Sequence, residues 1–265
     1  MRRLIFLFSL LFILLFNCTI VSSITIHCHW LQWKGEQVKD VKAVTIASQS
    51  YNNFSLPLDN GLIYTTYYIF KYDEPQGKRE TYLDGVEVFI YMAHYWLNNL
   101  PFGLPPKFVT RKSVEVKFFR FNHKPLLHGW PHQERIYGLS DLKQGQSIRF
   151  TIGRRKGENF AKVSLIDNHI IKWTKEFIYP NFGASGRIIV VRHGVESTTD
   201  NFMFQGKADN LWFQYLNDEW HLIPWNSGKD SPYNLPNPCN INIKNWNYGK
   251  PELGIGGKVV WQCGE

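Results

Sequence analysis

Polar and apolar residues alternate with a period of two along much of the chain. Residues 113–121 read Ser-Val-Glu-Val-Lys-Phe-Phe-Arg-Phe, and residues 146–152 repeat the pattern. A strand with one face in a core and the other in solvent has this signature. Residues 61–70 and 86–92 are rich in β-branched and aromatic side chains, which suit a pleated, half-buried surface. Turn chemistry separates these runs at Asp73-Glu74-Pro75-Gln76-Gly77 and Asp84-Gly85. Residues 159–166 and 169–173 flank Asp167-Asn168, which reads as the centre of a hairpin. No stretch from 41 to 163 holds a helical period. Many short strands with regular turns predict an antiparallel β-sandwich with almost no helix over residues 40–180.

Two segments depart from the alternation. Met1-Arg2-Arg3 precedes a run of 13 residues, Leu4 to Phe16, that is apolar but for Ser9, and Val21-Ser22-Ser23 follows. A basic start, an apolar centre and small residues before a cleavage point make a secretory signal peptide. The run is short for a bilayer span, which takes about 20 residues. The expectation is a signal over 1–23, a secreted, extracellular mature chain from Ile24, and no membrane span after cleavage. The second departure is Ile188-Ile189-Val190-Val191, four β-branched residues in a row. Such a run predicts a strand buried on both faces, as in a parallel sheet. It follows a small flexible joint, Gly183-Ala184-Ser185-Gly186. The reading is therefore a sandwich domain over 24–182 and a small, incomplete α/β segment over 187–265. Prolines at 224, 232, 236, 238 and 251 make the tail loop-rich.

Composition adds binding surface rather than chemistry. Aromatics reach 16% of residues, with 10 Trp, 13 Tyr and 19 Phe. The formal charge of +8 contains no basic run beyond Arg154-Arg155-Lys156, so no nucleic-acid stripe is expected. A diffuse positive charge still favours acidic glycans or surfaces. Neither a Cys-x-x-Cys nor a His-Glu-x-x-His pattern occurs, and no metal or cofactor is expected. After the leader, Cys28, Cys239 and Cys263 remain. A Cys239–Cys263 bridge would close a short loop, and pairing of Cys28 with either would tie the chain ends together; the spacing leaves both open. Asn53-Phe54-Ser55 is an N-glycosylation sequon.

His94 follows the run 86–92, Asn122 ends the run 113–121, and Trp130-Pro131-His132-Gln133-Glu134-Arg135 comes eight residues later. Neighbouring antiparallel strands can bring His, Asn, Trp and Arg onto one face. That set suits a sugar: an indole packs on an apolar C–H patch while a few directed polar groups select hydroxyls. The order of these residues resembles the galectin carbohydrate-recognition domain, with its H-x-N-x-R, V-x-N and W-G-x-E-x-R strands. His94 to Asn98, Phe121-Asn122 and Gly129 to Arg135 carry the likeness, and Phe160 to Trp173 resembles the closing hairpin. Trp96 and Asn98 stand where the family has its Asn and Arg, and Gln133 where it has its Glu. The resemblance covers residues 40–180. It implies a galectin/concanavalin-like jelly roll that binds β-galactosides of glycans or glycoproteins through His94, Asn98, Asn122, Trp130, Gln133 and Arg135. It leaves the oligomeric state open.

Arg192-His193-Gly194 directly follows the apolar run 188–191. Arg is a bidentate phosphate clamp, and a neutral His can carry a phosphoryl group. The motif resembles the histidine phosphatase (phosphoglycerate mutase-like) superfamily. That likeness implies a strand-end loop with His193 as nucleophile and Arg192 as clamp. Only 79 residues, 187–265, carry it, and the family's second histidine and its acid–base carboxylate lie beyond them. A phosphohistidine cycle needs that acid, so the expectation is a secreted glycan-binding protein without phosphatase turnover.

Overall fold

The computed structural model describes residues 27–39, 41–71, 83–97, 107–121, 133–155, 157–181, 187–199, 201–215, 220–222, 239–244 and 258–264. They form fourteen strands and no helix: β1 (His27–Lys39), β2 (Val41–Ser55), β3 (Asn60–Lys71), β4 (Leu83–Leu97), β5 (Lys107–Phe121), β6 (Gln133–Asp141), β7 (Ser147–Arg155), β8 (Glu158–Asp167), β9 (Ile170–Pro180), β10 (Arg187–Ser197), β11 (Met203–Tyr215), β12 (Trp220–Leu222), β13 (Asn240–Lys244) and β14 (Lys258–Cys263). Six of them run in the order β1-β10-β3-β4-β5-β6, and the other sheet runs β13-β14-β11-β2-β7-β8-β9, with β12 beside β11. Neighbouring strands pair antiparallel in both sheets.

Alternation turns these strands into two layers. Val86, Val88, Ile90 and Met92 of β4 enter the core with Val114, Val116 and Phe118 of β5. Ile148, Phe150 and Ile152 of β7 meet them from the other sheet with Ala161, Val163 and Leu165 of β8. Interdigitation of two such inner faces removes apolar area from water at roughly 25 cal/mol per Å². A tight turn joins β8 to β9: Asn168 and His169 both have positive φ, 48° and 66°. That is the pair of left-handed residues that matches a two-residue loop to strand twist.

The C-terminal strands complete the sandwich. β10 lies between β1 and β3, and β11 pairs β2 from Met203↔Ser55 to Tyr215↔Val41. The expected incomplete α/β segment is therefore corrected: the described part of 187–265 is antiparallel strand built into both sheets. The prolines of the tail fall outside the described residues, while β13 and β14 within that region are strands. Cys239 and Cys263 are disulfide-bonded, which pins the β13–β14 end to the core.

Candidate functional site

On β4 the even-numbered residues face the core, so Gly85, Glu87, Phe89 and Tyr91 face away from the opposing sheet. Register sets their neighbours on β5: Gly85 lies opposite Phe119, Glu87 opposite Lys117, Phe89 opposite Glu115 and Tyr91 opposite Ser113. Two glycines let two rings lie down on this outer face. A Cβ on Gly85 would stand 1.9 Å from Phe119 Cε2, so the Phe119 ring covers Gly85. A Cβ on Gly61 of β3 would stand 3.2 Å from Tyr91 Cε2, so the Tyr91 ring lies across Gly61. Tyr91 is half-buried, whereas Phe119 is buried together with Phe89, Glu87 and Glu115.

Between the two rings stands a braced polar set. Thr65 Oγ1 donates to Glu87 Oε1 at 2.6 Å. Ser113 Oγ and Arg111 Nη2 both donate to Glu115 Oε1, at 2.6 and 2.7 Å. Arg111 also sits over the Tyr91 ring, 5.3 Å from its centroid, with its side chain 46% exposed. Lys117 lies 5.9 Å from the Phe119 ring centroid. Glu196 of β10 faces the same side. Burial, with the charge of Glu87 added, pushes its carboxyl up to about 8, against the opposing pull of Lys117 and Arg192. β10 lies two strands from β4 and three from β5, so the charges of Glu87 and Lys117 act on Glu196 across β3. Glu87 and Glu115 accept, and Arg111 and Lys117 supply positive donors.

Of the expected sugar residues, the described ones, His94, Gln133 and Arg135, do not gather here. His94 follows the core-facing parity of β4 and packs between Phe54 of β2 and Phe108 of β5, at 5.4 and 5.3 Å between ring centroids. Arg135 lies beside the Tyr179 ring at 5.9 Å and donates to Tyr137 Oη at 3.3 Å. His94 pairs with Thr110 and Arg135 with Phe118, eight residues apart on β5, or about 26 Å. Gln133 begins β6 opposite Arg120. Asn98, Asn122 and Trp130 lie outside the described residues. The core alternation of residues 86–92 carries the signal for the outer face: extended by two, it sends His94 inward and Glu87, Phe89 and Tyr91 outward.

The phosphate motif also differs from its expectation. Arg192-His193-Gly194 sits inside β10, not in a loop at the end of a parallel strand. His193 is fully buried in the core. Its Nδ1 is 2.7 Å from Thr66 Oγ1 and its Nε2 is 3.2 Å from Tyr64 Oη. Thr66 Oγ1 in turn donates to Gln49 Oε1 of β2 at 3.3 Å. A neutral ring with its proton on Nδ1 completes this chain. Burial holds the imidazole pKa down to about 3. Arg192 points to the opposite side of the strand, so one strand separates the two groups that the phosphate reading joins.

A groove of about 560 Å³ at one end of the sandwich is lined by Ser55, Leu56, Pro57, Asn201, Phe202, Met203 and Gly264. Its lining contains no titratable side chain. The described strands define an antiparallel β-sandwich. No protein-family model and no curated protein matches the chain. Among solved structures it is similar to a legume lectin-like domain from Entamoeba histolytica, at 9% sequence identity over 64% of this chain and 76% of that chain, with a TM-score of 0.34.

Proposed function

We propose that this chain is a secreted, galectin-like glycan-binding protein that holds β-galactoside-type sugars on the outer face of its six-stranded sheet. The observation that supports the reading is the half-buried Tyr91 ring across Gly61, with the exposed Arg111 and the braced carboxylate of Glu115 beside it. Apolar sugar faces pack on rings, and hydroxyls need fixed partners of both kinds. Arg111 and Lys117 favour galactosides that carry an acidic group. The Cys239–Cys263 disulfide agrees with an oxidising, secretory compartment.

A few hydrogen bonds and one or two ring contacts leave about 4–7 kcal/mol net, a millimolar to micromolar dissociation constant. A glycan array of neutral, sulfated and sialylated galactosides, probed with the full chain, tests the reading. The expected result is galactoside binding that falls at least tenfold in Tyr91→Ala and in Lys117→Ala, each checked for an intact thermal transition. An array without bound glycan, or unchanged binding by Tyr91→Ala, would sink it.

A further inference from the structure

We propose that Asn53 is an N-glycosylation site whose oligosaccharide projects from the outer face of the eight-stranded sheet. Three independent observations carry this. Asn53-Phe54-Ser55 is a complete sequon, and the other match to the pattern, Asn17-Cys18-Thr19, falls inside the leader. The local fold displays the acceptor. Phe54 turns inward, edge-on to Tyr51 and against His94 of the opposing sheet, and alternation therefore turns Asn53 and Ser55 outward. Both are exposed, as are Gln205 and Met203, which pair with them on β11. The third observation is the buried Cys239–Cys263 bridge. Disulfides form in the compartment where oligosaccharide transfer takes place.

The modification is a group transfer from a lipid-pyrophosphate-linked oligosaccharide. Asn53 Nδ2 attacks C1 of the terminal sugar. The N–C1 bond forms, the bond from C1 to the phosphate oxygen breaks, the lipid pyrophosphate leaves, and the amide proton passes to a base of the transferase. Transfer precedes folding, so the native state has only to leave room for the product. An inward Asn53 would force a bulky polar group into the core; the outward one leaves it in solvent. The site is on the opposite layer from Tyr91 and Phe119, so the attached glycan does not cover that face. The inference does not depend on what the face binds.

The full chain, expressed in a eukaryotic secretory host, is analysed by intact mass and peptide mapping before and after peptide N-glycosidase treatment. The expected result is a mass loss on treatment, with Asn53 converted to Asp in the recovered peptide. Ser55→Ala abolishes the modification with Asn53 still in place, and Ser55→Thr keeps it. A product whose Asn53 peptide is unmodified overturns the proposal, whether that product is secreted or retained. Modification that persists in Ser55→Ala overturns it too.

Discussion

His193 shows how a single residue in this core sets a pH dependence. Its folded pKa is about 3, below the usual 6.5, because burial penalises the cation. Above pH 6.5 both folded and unfolded forms are neutral and stability is complete. As pH falls from 6.5 toward 3, the unfolded chain takes up the proton that the folded chain refuses, and about 1.4 kcal/mol is lost per pH unit. Glu196 acts in the opposite sense: its raised pKa favours the folded state below about 4.5, and that contribution is lost as pH rises toward 8. The two are separated by comparing urea unfolding of wild type and His193→Gln between pH 4 and 7. Between about pH 4.5 and 6.5 the two terms nearly cancel in the wild type, so His193→Gln should uncover the Glu196 term and grow less stable as pH rises; equal slopes would show that the ring is not held neutral. Gly85 is the other decisive single position. Gly85→Ala must displace the Phe119 ring, with an expected cost of about 1–3 kcal/mol for overpacking, read by urea unfolding. A Gly85→Ala protein with native stability would show that the ring does not rest on the glycine.

Between elements, the strongest polar tie joins the two sheets through Asp84 of β4. Arg120 of β5 donates to it through Nε and Nη2 at 2.8 and 3.1 Å, Asn159 of β8 adds a bond at 3.0 Å, and Arg120 Nη2 reaches Pro180 O of β9 at 2.7 Å. Burial raises the Asp84 pKa, while Arg120 and Asn159 pull it down. Asp84→Ala strands Arg120 and Asn159 without their acceptor and should cost about 3–5 kcal/mol in denaturant unfolding. A loss under about 1 kcal/mol would show that the tie adds little. The strands themselves were legible because alternation in 86–92, 113–121 and 146–152 states which side chains enter the core. The site was less legible. The His94 reading followed motif order, whereas strand parity governs direction, and parity points His94 toward Phe54. The run before Arg192 read as parallel sheet for a physical reason. β10 is a central strand whose core face holds Val191 and Val195, while across β3 the outer face is buried as well, at Thr65, Ile69 and Phe89. Burial on both faces erases alternation in an antiparallel sheet as well as in a parallel one.

At the scale of the whole molecule, strands from both ends of the described chain meet in both sheets: β10 lies between β1 and β3, and β11 lies between β14 and β2. The Cys239–Cys263 link holds β14, with both sulfurs buried. Its removal by paired Cys→Ser substitution should lower stability by about 2–4 kcal/mol, read as a shifted unfolding midpoint. A midpoint unchanged by that substitution would show that β13 and β14 dock without the link. The central claim is where the sugar sits, and a crystal structure of the full chain with a bound galactoside oligosaccharide tests it most directly. The account predicts a sugar ring against Tyr91, with hydroxyls on Arg111 and Lys117. A galactoside seated at the His94 and Phe108 end instead, with the outer face of the six-stranded sheet bare, would contradict it.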